Sequence, residues 1–275
     1  MALTAYTFIS PVGAGVVHTK GAYTQIVAST PSDSSRLFVM GDFASGAGRM
    51  VLMDIATGGA GTETDIVANL PLHVDSDQIS SAFVPLNVQI PAGTRLSTRI
   101  QTSTLPSTSQ TLHFYLDTRA LASLTNPVTY GANTGASAGT QVDPGGTAGT
   151  KGAYVQLTAS TSSRIDSVVM CVTVASTSAL TAGMRWSIDL ATGASGSEVI
   201  LLADVTVTGG TGSDAVRQGY LYLPASIPAG TRLAVRCNCN VTTAGQRVLA
   251  VTVIGMQEPA TGGGGSSATA VAYLG

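Results

Sequence analysis

Four arginines recur as two pairs in identical surroundings. Arg95 and Arg99 follow the residues Ile-Pro-Ala-Gly-Thr, and Arg232 and Arg236 follow a second copy of the same five residues. Proline fixes φ and glycine suits the exit of a type I turn, so this segment predicts a turn that starts a strand. Because side chains alternate along a strand, both arginines of a pair face away from the apolar residues between them.

The two arginine pairs have two interpretations. They could form an interaction face that grips an acidic partner or a sugar, with Arg95, Arg99, Arg232 and Arg236 as its residues. They could also be part of an ordinary solvated sheet face. We favour the second interpretation because exposed arginine is common on protein surfaces.

Carboxylates frame a second repeated segment. Asp54 and Glu63 flank a glycine-rich stretch, and Asp189 and Glu198 flank its repeat. Calcium requires six or more oxygen ligands, of which two carboxylates would supply only a start. Acidic residues beside glycine-rich hairpins also increase solubility, so we expect no metal site.

One serine has the local sequence of a hydrolase nucleophile. Ser137 lies within Gly-Ala-Ser-Ala-Gly, which matches the letters of a nucleophile elbow. That motif needs a strand before the serine and a helix after it. Here it lies in a Gly/Ser/Thr/Ala-rich stretch, so we expect a chance match. With no other cluster of titratable groups, the sequence predicts no catalytic site, no cofactor and no enzyme.

Composition excludes further classes of function. Only 10% of the 275 residues are charged and the net charge is −2, so there is no basic surface for nucleic acid. The apolar runs are far shorter than the ~20 residues of a membrane helix. The first ten residues lack Lys and Arg and do not match a secretory signal. We therefore expect a protein that is soluble as made, without nucleic acid or membrane partners.

The cysteines and histidines do not form a metal or disulfide pattern. Cys237 and Cys239 are two apart in a predicted strand, a spacing of roughly 6.6 Å that does not suit a disulfide. No Cys-x-x-Cys pair is present, and the three histidines are scattered. Reduced thiols are the simplest prediction.

Three anchors repeat in the same order, which indicates an internal duplication. Thr-Lys-Gly-Ala-Tyr occurs at 19–23 and 150–154, Asp-(Ile/Leu)-Ala-Thr-Gly at 54–58 and 189–193, and Ile-Pro-Ala-Gly-Thr-Arg-Leu at 90–96 and 227–233. The offset drifts from 131 to 137 residues, as loop insertions would cause, so each copy is a folding unit of domain size. We predict a first domain at 1–125, a Gly/Ser/Thr-rich linker at 126–149, a second domain at 150–258 and a flexible glycine-rich tail at 259–275.

Short apolar runs between turn residues predict strands in both copies. The first copy has six such runs and the second has seven, and neither shows helical periodicity. Many short strands with regular turn signals are typical of a β-sandwich or jelly roll. The fold class is therefore all-β, with two tandem sandwich or jelly-roll domains. The runs are 36–40, 49–55, 64–70, 83–88, 95–101 and 110–116 in the first copy, and 154–159, 166–174, 184–190, 198–205, 219–223, 232–239 and 247–254 in the second.

The chain resembles virion structural proteins of tailed bacteriophages. The resemblance rests on the tandem β organisation, the low-charge Ala/Gly/Ser/Thr-rich composition, and the Ala-Thr-Gly-x-x-Gly-x-Glu and Ile-Pro-Ala-Gly-Thr-Arg segments of both copies. It implies a jelly-roll-like module of the virion, made in the host bacterial cytoplasm and assembled onto a head or tail as a decoration, cement or tail-associated component. Its partners would be other virion proteins and further copies of itself, with a trimer or hexamer as suitable symmetric forms.

A glycan- or receptor-binding module is the alternative. Two tethered weak sites would gain avidity from the duplication. Four tyrosines could stack on sugars, namely Tyr23, Tyr154, Tyr220 and Tyr222, although such residues are more often half-buried in strands. Trp186 is the only tryptophan and aromatics make up 5% of the chain, which counts against a typical carbohydrate platform or glycosidase cleft.

Overall fold

The computed structural model describes residues 3–42, 49–74, 84–103, 111–117, 124–175, 180–209 and 219–258. The predicted tail at 259–275 lies outside these residues. Strands make up most of the described chain, and its single helix has four residues. No described helix has the length and hydropathy needed to cross a bilayer.

The first eight strands, which we call unit 1, form two antiparallel four-stranded sheets. One sheet has the order β1-β8-β3-β6 and is called the back sheet; the other has the order β2-β7-β4-β5 and is called the front sheet. Strands therefore pair as 1 with 8, 2 with 7, 3 with 6 and 4 with 5, which is the wrapped double hairpin of a jelly roll. The strands are β1 (Leu3–Ile9), β2 (Thr24–Val27), β3 (Ser34–Asp42), β4 (Arg49–Thr57), β5 (Thr64–Val74), β6 (Val84–Ile90), β7 (Leu96–Thr102) and β8 (Thr111–Asp117).

Unit 2 repeats this topology. Its back sheet contains the order β11-β18-β13-β16 and its front sheet the order β12-β17-β14-β15, which is the order of unit 1 with ten added to each strand number. The all-β prediction with two duplicated jelly rolls is confirmed. The elements are β9 (Val128–Tyr130), β10 (Ala132–Asn133), β11 (Ala138–Val142), β12 (Val155–Thr158), β13 (Ile165–Val174), β14 (Arg185–Thr192), β15 (Val199–Thr208), β16 (Gly219–Ile227), β17 (Leu233–Cys239), α1 (Ala244–Arg247) and β18 (Leu249–Met256).

The segment 126–149, expected as a linker, contributes three strands to the back sheet of unit 2. β11 pairs with β18 along one edge, β10 pairs with β11, and β9 pairs with β18 at Gly255, Ile254 and Val253. Small residues here suit close approach, since a Cβ on Gly139 would lie 2.7 Å from the backbone of Val251. This part of the segment is sheet structure because β18 offers it unpaired backbone groups.

The apolar run in β13 is buried on both sides. Val168, Met170 and Val172 belong to the core of unit 2, whereas Val169 and Cys171 belong to the core cluster of unit 1. β18 alternates in the same way, with Ile254 and Met256 in the core cluster of unit 1. Since successive side chains of a strand face opposite sides, the back sheet of unit 2 is a wall shared by both cores.

This wall covers the side of unit 1 that lies between β5 and β6, the edge strands of its two sheets. The Tyr220 hydroxyl donates to the Pro71 carbonyl on β5 at 2.8 Å. On β6, the Asn87 side chain donates to the Gln257 carbonyl at 3.2 Å. All three cysteines are free and buried, and burial raises the pKa of the Cys171 thiol.

A shared wall predicts that the two units unfold together. Ile254→Ala, made in unit 2, should lower the free energy of unfolding of the whole chain by about 2–5 kcal/mol, because it leaves a cavity in the unit 1 core. Trp186 fluorescence reports the core of unit 2, while far-UV circular dichroism reports both units. We expect the two signals to give one coincident denaturant transition in wild type and variant. Two separate transitions would contradict the shared wall.

Candidate interaction surface

The Ile-Pro-Ala-Gly-Thr turn has the same hydrogen bonds in both units. In unit 1, Thr30 donates through its hydroxyl to the Pro91 carbonyl at 2.7 Å and accepts the Gly93 amide at its carbonyl at 2.8 Å. Gly93 has a φ of 78°, which favours glycine. Thr161 binds Pro228 and Gly230 of unit 2 in the same way, at 2.9 and 2.8 Å. The turn therefore starts β7 and β17 in equivalent registers.

The first arginine of each pair ties the front sheet together. Arg95 lies 3.1 Å from the Glu63 carboxylate, and it also donates to the Gly58 carbonyl and the Gln25 side chain. These partners come from the β4–β5 hairpin and from β2. Burial disfavours the charge of Glu63, but backbone hydrogen bonds and Arg95 outweigh it and lower its pKa. The equivalent contacts of unit 2 are those of Arg232 with Glu198, Gly193 and Gln156.

The second arginine of unit 1 belongs to a charge cluster on the outer face of the front sheet. Arg99 lies 2.8 Å from a buried carboxylate, Asp54, and 3.2 Å from Asp65. Its guanidinium stacks over the Tyr23 ring at 4.5 Å from the centroid. The Tyr23 hydroxyl donates to Asp65 at 2.5 Å, and the Lys20 ammonium lies 2.6 Å from Asp54. Each charge in this cluster has a partner of opposite sign.

Unit 2 contains the same cluster built with a different second acid. Arg236 lies 2.8 Å from Asp189 and stacks over Tyr154 at 4.5 Å from the ring centroid. Lys151 lies 2.5 Å from Asp189 and 2.9 Å from Asp204. The Asp204 amide also donates to Asp189 at 3.0 Å.

The second acid has moved along the edge strand between the two units. Asp65 pairs with Ala56 of β4, and the equivalent place opposite Ala191 is occupied by Ile200. Asp204 instead stands where unit 1 has Asn69; both have positive φ, at 54° and 57°. Short polar side chains tolerate that conformation.

The two lysines differ in the direction of their pKa shifts. Burial lowers the pKa of Lys20 and its bond to Asp54 opposes this only in part. Burial also disfavours the charge of Lys151, but hydrogen bonds to Asp189 and Asp204 outweigh it and raise its pKa. The two units thus have the same strand arrangement around the cluster but differ in the pKa of the lysine.

The four arginines predicted as a possible interaction face lie on the front sheets, two in each unit. Their side chains are only 14–30% exposed and each has a carboxylate partner within 3.2 Å, so they are ion-paired and less exposed than the solvated sheet face that we favoured. Sequence reasoning did not join them to Lys20 and Lys151. The signal was present, because both lysines belong to repeated anchors.

The carboxylates considered for calcium are occupied by cations of the chain itself. Asp54 binds Lys20 and Arg99, while Glu63 binds Arg95 and the Gly61 amide. Within the described ranges, no group of three or more His, Cys, Asp or Glu side chains could hold a metal ion.

The tyrosines considered for sugar stacking also have partners. Arginine covers one face of Tyr23 and of Tyr154. Tyr220 and Tyr222 pack against the core of unit 1, and the Tyr222 hydroxyl donates to Glu258. The first two therefore present one ring face at most, and the last two lie between the units.

Ser137 lies in the turn between β10 and β11, with strand rather than helix following it. The side chain is fully buried, its φ is 52°, and its hydroxyl lies 3.0 Å from His18 Nδ1 and accepts from Gln101 Nε2 at 3.0 Å. An adjacent cavity of about 10 Å³ has room for about one water molecule. This serine–histidine contact joins unit 1 to unit 2. The strand–serine–helix arrangement of a nucleophile elbow is not formed.

Comparison with solved structures gives only low similarities. The tandem CBM22 domains of Paenibacillus barcinonensis Xyn10C align with 93% of this chain and 98% of theirs, at 12% identity and a TM-score of 0.27. A chain of the cryo-EM structure of broad bean stain virus aligns with 100% of this chain and over 93% of its own length, at 12% identity and a TM-score of 0.34. The structure of PNGF-II aligns with 93% of this chain, at 8% identity and a TM-score of 0.40, and this chain spans 65% of the length of PNGF-II.

No protein-family model matches the chain, and no curated protein matches it in sequence. The jelly-roll assignment follows from the strand pairing of this chain itself.

The central carboxylates should be structural. Asp189→Asn should lower the free energy of unfolding by about 2 kcal/mol, since it weakens hydrogen bonds to two cations. Asp54→Asn in unit 1 should have a similar effect. The control is Arg164→Gln, which breaks an exposed ion pair and should change stability by less than about 0.5 kcal/mol. Denaturant melts measure all three; an Asp189→Asn change as small as the control's would contradict the prediction.

Stability should fall on the acid side. Hydrogen bonds lower the pKa of Asp189 and of Glu198 below their usual values of 3.8 and 4.5, although burial opposes both shifts. A carboxyl with a lowered folded pKa stabilises the protein above its unfolded pKa, and this contribution is lost as pH falls through the folded value. Thermal melts should be nearly constant from pH 7 to about 5 and decline below about 4.5. The decline should be smaller in Asp189→Asn; an equal decline would contradict the role of Asp189.

Proposed function

We propose that this chain is a non-enzymatic structural protein of the virion of a tailed bacteriophage. It would assemble through surface contacts as a head decoration or cement protein, or as a tail-associated component. Its partners would be other virion proteins and further copies of the chain. It would be made in the cytoplasm of the host bacterium.

One observation carries this proposal: the charged residues of the repeated anchors are partnered with one another. Lys20, Asp54 and Arg99 form one such group, and Lys151, Asp189 and Arg236 form its counterpart. A binding or catalytic site would instead leave polar groups converging on a pocket. The repeated residues form ion pairs that hold the strands of each sandwich together, which suits a protein with a structural role in an assembly.

The resemblance to tailed-phage virion proteins supports the same class. Both segments that carry it have a structural role here: Ile-Pro-Ala-Gly-Thr-Arg sets the register of β7 and β17, and Glu63 and Glu198 hold the arginines of that segment. A low surface charge with net −2 agrees with contacts to protein rather than to nucleic acid.

A glycan-binding role has less support from this geometry. Sugar recognition by stacking needs open aromatic faces. Tyr23 and Tyr154 keep at most one, because arginine covers the other, and Tyr220 and Tyr222 pack between the units. We therefore place the structural role first.

Immunogold electron microscopy tests the proposal. Antibodies raised against the purified chain would be applied to density-purified phage particles from the producing culture, with particles of an unrelated phage as the control. Label on the capsid lattice or around the tail is the expected result. Particles without label, from a culture in which the chain is abundant as free protein, would overturn the proposal. Binding of that free protein on a glycan array would then favour the alternative, a glycan-binding module.

A further inference from the structure

The two units differ in how far one side is covered. In unit 1, the side between β5 and β6 packs against the back sheet of unit 2, with contacts at Pro71 and Asn87. The equivalent side of unit 2 lies between β15 and β16, and we call it the open side. Both strands are sheet edges, and no described strand pairs with the outer edge of either.

Apolar side chains of the front sheet are less covered at the open side. On β5, three residues that pack in the core of unit 1 are buried: Val67, Leu70 and Leu72. Their counterparts on β15, which stand opposite the equivalent residues of β14, are only half-buried: Leu202, Val205 and Val207. These three side chains therefore still present apolar surface to a further element.

The back sheet shows the same difference. Val84 and Leu86 on β6 are fully buried. Their counterparts on β16, Leu221 and Leu223, are half-buried. The open side is thus bordered by incompletely buried apolar side chains from both sheets.

The edge of β15 also offers backbone groups. In unit 1, the equivalent edge carries Pro71, which has no N–H, and the Pro71 carbonyl accepts the Tyr220 hydroxyl of the covering sheet. Unit 2 has Thr206 at that position, and residues 205–208 pair regularly with β14. An extended segment can form hydrogen bonds with the outer backbone groups of such an edge, so a strand suits the open side.

In unit 1, the covering sheet is formed by the chain that follows it. Asp117 ends β8 and pairs with Arg36, just as Met256 ends β18 and pairs with Ser167. After Asp117, the chain goes on to form the sheet that covers the side between β5 and β6. The residues after Met256 leave unit 2 from the equivalent point, so they are the corresponding part of the chain for the open side.

This departure point lies close to β16. The Glu258 carboxylate accepts the Tyr222 hydroxyl of β16, and the Glu258 amide donates to Asp166 of β13 at 3.2 Å. Glu258 is therefore held within side-chain reach of the strand that borders the open side.

Residues 259–275 lie outside the described ranges, and their sequence has two parts. Ala, Thr, Gly and Ser make up all of residues 260–269, and a spacer of this length and composition spans about 16–19 Å. Packed sheets lie about 10 Å apart, so this reach extends from β16 to β15. The apolar run Ala-Val-Ala-Tyr-Leu follows at 270–274, and its Val and Tyr favour extended structure.

We propose that residues 270–274 lie extended over the open side of unit 2 of the same chain. Their backbone pairs with the outer edge of β15 at 205–208, and their apolar side chains cover Leu221, Leu223 and the half-buried residues of β15. This contact closes unit 2 as the shared wall closes unit 1. It lies within one chain, so it goes beyond the proposed function and does not depend on it.

Hydrogen–deuterium exchange of the full chain tests the contact. The variant carries Val271→Asp and Tyr273→Asp, which place charges where apolar side chains are buried on docking. Peptides from β15 should exchange about tenfold faster in the variant than in the wild type, because the outer edge of the strand loses its partner. Equal exchange of β15 in both proteins would overturn the proposal.

Two controls accompany this comparison. Ser267→Asp adds a charge to the spacer and should leave the exchange of β15 at the wild-type rate. β5, which the back sheet of unit 2 covers, should exchange equally in all three proteins, and this also shows that the variants fold.

Cysteine pairs test which face of β15 is covered. Val205→Cys lies on the open side, whereas Thr206→Cys, one residue away, lies on the opposite face and is the matched control. Each is combined with Ala272→Cys and, separately, with Tyr273→Cys, because adjacent residues of an extended segment face opposite ways. The three native cysteines are buried.

Under mild oxidation, one of the two tail cysteines should form an intramolecular disulfide with Cys at 205 about tenfold faster than with Cys at 206, since docking raises the effective concentration of that pair. Equal rates at both positions would overturn the proposal. Disulfide-linked dimers as the main product at low micromolar concentration would also overturn it, since the segment would then occupy the open side of another copy.

Discussion

The burial of one sheet on both of its faces is the constraint on which the rest of the structure depends. β13 and β18 alternate apolar residues that belong to different cores, so the back sheet of unit 2 completes both sandwiches. A sheet wetted on one face needs polar residues there, whereas this one needs an apolar run such as Val168, Val169 and Met170. The side of unit 1 between β5 and β6 is consequently closed by the back sheet of unit 2.

Most ion pairs among the described residues connect strands or turns of the two front sheets. With only 10% charged residues, the chain concentrates ion pairs on the front sheets, where a buried carboxylate in each unit receives a lysine and an arginine. The duplicated cluster tolerates variation, because Asp65 and Asp204 occupy different places and still supply the second acid. Both copies preserve a buried carboxylate that pairs with a lysine and an arginine, and in both the arginine stacks on a tyrosine.

Local pattern and tertiary contact determined different parts of this structure. The sequence by itself determined most strands, the duplication and the jelly-roll class: runs predicted at 49–55 and 166–174 became Arg49–Thr57 and Ile165–Val174, because alternation and turn residues act locally. It did not reveal β9–β11, which form strands because β9 and β11 pair with β18 and β10 pairs with β11. Nor did it reveal that Lys20 and Lys151 join the arginines, or that Ser137 contacts His18. Only the tertiary structure decided which sheet face is covered by the other unit, since that depends on contacts between residues more than a hundred positions apart.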